Sequence, residues 1–186
     1  MTLEQPRTAL REPAGVSGPV HDAPRRARFA SQAPPRPPWG KVAAVTVTVA
    51  VGLLLLAGLG EWSGHLLLIP AMAGTMALVA AAPALPLAQP RNIVIGQTVS
   101  VLIGVGVGWM SHSLWAAAVA AALAVGVMLL LRSAHAPAAA TCVLAVETTT
   151  GQATFVLCAL AAAVVLTLTA WISGRFTRTG YPTYWW

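Results

Sequence analysis

Acidic residues are nearly absent from this chain: five Asp and Glu stand against eleven Lys and Arg in 186 residues, and charged side chains make up only 9% of it. A soluble domain usually carries about 25%, so a water-facing surface of ordinary charge density is excluded. Cysteine is as scarce. Cys142 and Cys158 both lie inside apolar segments, where a thiol behaves as a small hydrophobe, and they say nothing about redox compartment. No CxxC pair occurs and the four histidines, His21, His65, His112 and His135, are scattered, so neither a metal site nor a cofactor is expected. No nucleophile stands beside a base in the apolar segments, and an enzyme is not expected. The excess of positive charge does not point to nucleic acid either. Seven of the eleven basic residues (Arg7, Arg11, Arg25, Arg26, Arg28, Arg36 and Lys41) precede the first apolar stretch, which is the pattern of a juxtamembrane anchor that favours anionic lipid.

What is present is apolar length. Hydrophobic residues make up 57% of the chain, and residues 42–60, 93–110, 114–131 and 153–172 form stretches without a charge, each close to the roughly 20 residues a spanning helix needs. An all-α integral membrane protein is therefore predicted, with a transmembrane domain over residues 41–175. Residues 1–40, rich in Pro, Arg and Ala, cannot bury enough apolar surface to order themselves and read as a disordered tail. Residues 176–186 read as a short C-terminal tail. Trp39, Trp62, Trp109, Trp115 and Trp171 mark the ends of the apolar segments, as an aromatic belt at headgroup depth would.

Two shorter apolar runs, residues 66–82 and 136–146, lie between the long ones. Aligned at an offset of 66 residues, they superpose Ala73 on Ala139, Thr75 on Thr141 and Leu78 on Leu144, with a proline at the start of each. The chain thus repeats one plan twice: long, short, long. If all six segments cross, Arg91, Arg132, Arg175 and Arg178 join the basic N-terminal tail on one side, while Glu61 and Glu147 fall on the other. The positive-inside rule then gives a multi-pass plasma-membrane protein with both termini cytoplasmic. Three crossings per repeat make the halves antiparallel, an inverted repeat of the transporter kind. The 11-residue run from 136 to 146 covers only about 16 Å as a helix. It must cross with help from extended chain that its neighbours shield.

Several residues are candidates for function. Pro70 and Pro137 fix helix starts, and the N–H groups of those first turns would point into the bundle as an anion site. Gly74, Thr75 and Thr141 follow within about a turn. The threonine hydroxyls can face the same space or bond back to their own helix carbonyls. His135 is either a proton-linked gate or anion ligand, or a capping residue. Gln89, Arg91 and Asn92 flank the proline that opens the third long segment; they can form a pore mouth or hold lipid phosphate. Glu147 stands at a vestibule or in a solvated loop. Gly96, Ser100, Gly104 and Gly108, spaced by four, line one helical face and form a packing seam. The seam can serve the bundle or a homo-oligomer.

Leu68-Ile69-Pro70 with Gly74-Thr75, then Pro86-Leu87-Ala88-Gln89-Pro90-Arg91-Asn92, then His135-Ala136-Pro137 with Ala140-Thr141 resemble, in that order, the HPP family of integral membrane proteins, over residues 40–175. That resemblance implies four spanning helices and an association with nitrite transport across chloroplast or bacterial membranes. It also implies that His135 and Pro137 match the ends of a His-Pro-Pro signature whose middle proline is Ala136 here. Ala71 and Ala140 stand where the family tends to carry Pro and Gly. The expected function is transport of a small inorganic anion across a lipid bilayer; the alternative is a non-transporting scaffold that works through its basic N-terminal tail.

Overall fold

The computed structural model describes residues 33–186, of which Pro37–Trp186 make one compact unit. The disordered tail expected over residues 1–40 lies, up to residue 32, outside the described residues. Those described contain six α-helices, one short 3-10 turn and no strand. In chain order the helices are α1 (Trp39–Ser63), α2 (Pro70–Ala81), α3 (Pro90–Gly108), α4 (Leu114–Leu130), α5 (Ala138–Glu147) and α6 (Gln152–Thr177), with the 3-10 turn Pro86–Ala88 before α3.

Prolines and glycines punctuate this order. Pro70 and Pro90 occupy the first positions of α2 and α3, where a missing N–H costs no hydrogen bond and the ring pre-sets φ. Gly64 ends α1 with φ 71 and its N–H on the Gly60 carbonyl, a left-handed cap that other residues adopt only with strain. Between Gly64 and Pro70 the chain is not helical, and Ile69 is extended, so the second apolar run is a helix only from Pro70 onward.

Three helices, α1, α3 and α6, are long and apolar enough to cross a membrane by length and composition. The expectation of four such helices is met only this far, because α4 holds 17 residues and ends before the polar turn at Arg132. It spans roughly 25 Å at 1.5 Å per residue. The short helices have 12 and 10 residues, as their proline starts dictate.

The interior mixes many small side chains with a few large ones, Leu56, Met72, Met76, Ile93, Met128 and Leu166 among them, and the exterior carries large apolar ones. Ala120, Ala124, Ala138, Ala145, Ala162 and Ala163 have no exposed surface, whereas Leu54, Leu102, Leu123 and Leu157 are all more than half exposed. Such a distribution would be unstable in water and suits lipid, where helices associate by close backbone approach rather than by hiding apolar surface. The glycine seam acts in this way. A Cβ on Gly104 would lie 2.5 Å from both the Cys142 carbonyl oxygen and the Ala145 Cβ, and one on Gly108 would lie 3.1 Å from the Val146 carbonyl oxygen. Gly104 and Gly108 therefore face α5 within the same chain, while Gly96 and Ser100 face Met128 of α4 and the loop before α5.

Packing divides the helices into two groups. α1, α2 and α6 pack together, as do α4, α5 and α3, and the groups meet along α2 with α5 and α3 with α6. The residues after α6 turn back onto the bundle instead of trailing away. Tyr181 is buried in the core beside the end of α6, the Thr183 N–H donates to Gln89 Oε1 at 2.9 Å, and Trp185 meets Trp171 edge-on at 6.1 Å.

Candidate functional site

The two short helices bring their first turns together. Thr75, one turn into α2, faces His135, in the loop just before α5, with 2.9 Å between Thr75 Oγ1 and His135 Nε2. Gly74 beside it packs on the Pro137 ring, which a Cβ would approach to 3.5 Å. So Gly74, Thr75, His135, Pro137 and Thr141, all singled out by sequence, belong to one neighbourhood, while Pro70 is exposed at the start of α2 and only opens the helix that carries Thr75.

A residue not singled out completes it. Gln97 of α3 accepts from Thr141 Oγ1 through its Oε1 at 2.6 Å and donates from Nε2 to Thr75 Oγ1 at 3.2 Å. Thr75, Gln97, His135 and Thr141 have no exposed surface at all. One amide, offering an acceptor at one end and a donor at the other, thus ties α2 to α5. The signal was available: Gln97 carries the only side-chain amide within the charge-free stretch 93–110, and a polar group at membrane depth is a functional candidate by default.

The direction of the bonds follows from what each atom can do. The Leu87 carbonyl oxygen only accepts, so His135 Nδ1, 2.8 Å away, must carry a hydrogen. In the neutral ring Nε2 is then an acceptor, and the Thr75 hydroxyl donates to it. The run reads Thr141 to Gln97 to Thr75 to His135 to Leu87, every donor pointing the same way. Thr75 Oγ1 also lies 3.0 Å from the Ala71 carbonyl, the back-bond expected of a membrane threonine, and its single hydrogen must choose between the two acceptors.

The backbone N–H groups of the short helices do not stand free, as the sequence had suggested. Met72 and Ala73 donate to the Ile69 carbonyl, and Ala138, Ala139 and Ala140 donate to those of His135, Ala136 and Pro137. Tight 3-10 bonds of this kind are how a buried helix end satisfies its first donors. The polar groups of the site are therefore side chains.

Gln89, Arg91 and Asn92 hold the loops that carry the site. Gln89 is fully buried and uses both ends of its amide, donating to the Pro83 and Leu85 carbonyls and accepting from the Thr183 N–H. Arg91 donates to the Arg132 and Leu131 carbonyls at 2.6 and 3.1 Å, closing the end of α4, and its guanidinium lies over the Trp186 ring. Arg132 itself has φ 54, a left-handed conformation that costs a non-glycine residue about 1–2 kcal/mol. Asn92 donates to the Ala134 carbonyl, while its buried Oδ1 has no hydrogen-bond partner. Arg91→Met should free the turn at Arg132 and loosen the backbone that presents His135. Hydrogen exchange at residues 131–135, measured on detergent-solubilised protein, should rise at least tenfold while the centre of α1 is unchanged.

Gly96 is the member of the seam that touches the site, since a Cβ there would lie 2.7 Å from His135 Cβ. Ser100, the next member, is fully buried against Met128 Sδ at 3.9 Å. Glu147 stands exposed at the far end of α5, two turns from Thr141, and does not join the network. Among the described residues no cluster of His, Cys, Asp and Glu could hold a metal ion.

Comparison with known proteins agrees with the pattern of motifs. The description "HPP, transmembrane region" matches residues 34–182. Two transmembrane proteins of Dictyostelium discoideum are 31% and 33% identical to the chain over 129 residues, each alignment covering 64% of the chain and 45% or 42% of the relative. The chain therefore spans less than half the length of these curated relatives. No solved structure matches.

Proposed function

Since the chain belongs to the HPP transmembrane family, we propose that it carries a small inorganic anion across the membrane, nitrite first among the candidates, through a site between the first turns of α2 and α5. The observation that carries this reading is the bridge Thr141–Gln97–Thr75–His135, four fully buried polar side chains in a bundle whose other interior residues are mostly small and apolar. A small anion entering there would replace bonds that these groups now make to one another. The hydroxyls of Thr75 and Thr141 and the Gln97 amide N–H would turn to it, in place of its hydration. No full charge lies in the network, so binding would be modest and release possible, as transport requires.

Packing supports the inverted repeat that this reading assumes. Exchanging α1 with α4, α2 with α5 and α3 with α6 maps the first helix group onto the second, and the two larger contacts between groups, α2 with α5 and α3 with α6, onto themselves; the slight contact of α5 with α6 has no counterpart. The bonded pair Arg91 and Arg132, the Trp186 ring and the end of α6 meet at one end of the bundle, which favours six crossings with both termini cytoplasmic, in the plasma membrane.

Uptake of nitrite into proteoliposomes, with nitrate and formate as competitors, tests the proposal. Saturable, competable flux is expected, and Thr141→Val, which keeps the shape of threonine and removes its hydroxyl, should lower it about fivefold to tenfold, the worth of one good hydrogen bond. Flux indistinguishable from protein-free vesicles would move the reading to a non-transporting membrane scaffold working through the N-terminal tail.

A further inference from the structure

The returning C-terminal segment leaves a hollow against the end of α6 that takes no part in the network. One turn creates it. α6 closes at Arg178 with φ 53, a left-handed conformation that suits glycine and strains a residue with a side chain. The chain then runs back over Gly174, where a Cβ would come within 3.3 Å of Tyr181, and brings Trp185 edge-on to Trp171 at 6.1 Å. Between these indoles, the end of α6 and the turn lies an open cavity of about 480 Å3, with Arg175 and Arg178 in its lining.

The cavity is cationic, and the protein does not neutralise it. No carboxylate lines it, and among the described residues neither guanidinium donates a hydrogen bond. The two carboxylates of the described residues stand at the other end of the bundle. Glu61 lies near the end of α1, whose first turn shares a cavity with Thr177, and Glu147 follows Val146, which packs on Gly108 at the close of α3. The Arg175 guanidinium lies over the Trp171 ring, 5.3 Å from its centre, so that face is taken and cannot cage a quaternary ammonium. A stacked guanidinium keeps its N–H edge for an anion, and phosphate is a group that this fork fits.

Depth decides the source of the phosphate. α6 has 26 residues and is about 39 Å long at 1.5 Å per residue, against about 30 Å of hydrocarbon. Its last turn, which carries Arg175, therefore reaches the headgroups. Val164, Leu168, Trp171 and Arg175 follow at helical spacing on one face, and Val164 and Leu168 are both exposed. Below the guanidinium, then, the same face is apolar and open to an acyl chain.

We propose that the cavity binds the phosphate of an anionic phospholipid between Arg175 and Arg178, with an acyl chain against Leu168 and Val164. The site is independent of the anion reading of the core. It accounts for an arginine at the strained turn, where glycine would fit the backbone better but would bring no charge. The lipid would also steady the returning segment, whose Thr183 N–H meets Gln89 and whose Trp186 ring lies under Arg91.

The test uses full-length protein in neutral detergent, incubated with phosphatidylglycerol or with phosphatidylcholine of the same acyl chains, with bound lipid counted by native mass spectrometry. One phosphatidylglycerol per chain should be retained about twentyfold better than phosphatidylcholine, roughly fivefold for each arginine. Arg175→Gln and Arg178→Gly should each lower its retention about fivefold. The second variant separates binding from folding, because glycine suits φ 53 and the thermal midpoint should hold or rise while the lipid is lost. Arg132→Gly is the matched comparison: it removes a like charge at a like turn, φ 54, that does not line the cavity, and retention should be unchanged. Equal retention of the two lipids, retention unaltered by Arg175→Gln and Arg178→Gly, or an equal loss with Arg132→Gly would overturn the proposal. So would complete competition by millimolar inorganic phosphate, which would make the ligand a free anion.

Discussion

Gln97→Leu should lower nitrite uptake about a hundredfold while costing the folded protein only on the order of 1 kcal/mol. The two effects separate because they draw on different states. In the resting bundle leucine fills nearly the same volume as glutamine; Thr75 keeps His135 Nε2 as its acceptor, and Thr141, which alone loses one, can bond back to its own helix as threonines do at little cost. Hydrogen bonds between membrane helices are in any case worth only about 0.6 kcal/mol on average. With an anion bound, the loss is larger. The amide N–H that would face the anion is gone, and Thr141, drawn back onto its own helix, is less available to donate. Two lost contacts at about 1.4 kcal/mol each make the hundredfold. Uptake is measured in proteoliposomes, and stability by the temperature at which half of the solubilised protein is lost from the monodisperse peak in size-exclusion chromatography. Uptake within threefold of the parent protein would remove Gln97 from the site; a collapse of stability with it would make the bridge structural.

Gly104→Val should have the opposite profile, losing most of the folded protein. The new Cβ would be 2.5 Å from the Cys142 carbonyl oxygen and as close to the Ala145 Cβ. The oxygen belongs to the backbone of α5 and cannot swing aside as a flexible side chain does, so α3 and α5 would have to separate along their whole contact. Overpacking of a well-packed core costs about 1–3 kcal/mol and more where backbone is the obstacle, and this contact joins the site to the rest of its helix group. Gly106→Val supplies the comparison, because a Cβ at Gly106 meets nothing within 4 Å. Expression and thermal midpoint should be nearly unchanged there. Equal tolerance at both positions would mean that α3 and α5 are not in close contact in the membrane.

These two residues also mark how far the sequence could be read. The charge-free runs located the helices, and the prolines located the starts of α2 and α3. The four-residue spacing from Gly96 to Gly108 disclosed a seam, since spacing by four is a property of one helix read along its own axis. Which partners the seam meets is not written in that spacing, and the structure gives α5 to Gly104 and Gly108, and α4 with the loop before α5 to Gly96 and Ser100. Thr75, His135 and Thr141 were legible as polar residues at corresponding points of a repeated plan. Gln97 was not: it has an alanine, Ala163, at the corresponding point of the second repeat, so a search for repeated residues passes over it. Gln89 and Arg91 were visible as a polar cluster, but the carbonyls they hold lie 40 and 41 residues away for Arg91, and the N–H that Gln89 accepts lies 94 residues away. Distances of that order come only from the folded chain. The free helix N-termini expected at the site are occupied because a short helix closes its first turn with the nearest carbonyls, a local economy that a dipole argument alone does not include.

The single bridging amide couples the proton count of His135 to the rest of the network. With a neutral imidazole the arrows from Thr141 to Leu87 can point in only one direction, because the Leu87 oxygen keeps a hydrogen on His135 Nδ1 and leaves Nε2 bare. Add a proton to the ring and Nε2 becomes a donor, the Thr75 oxygen receives from it, and the Thr75 hydrogen is released to the Ala71 carbonyl or to Gln97. The amide can then turn over, presenting oxygen to Thr75 and nitrogen to Thr141. The orientation of one side chain in α3 would thus register the charge of a ring in the loop before α5, and the face the site offers a visiting anion, two hydrogens or a lone pair, would change with it.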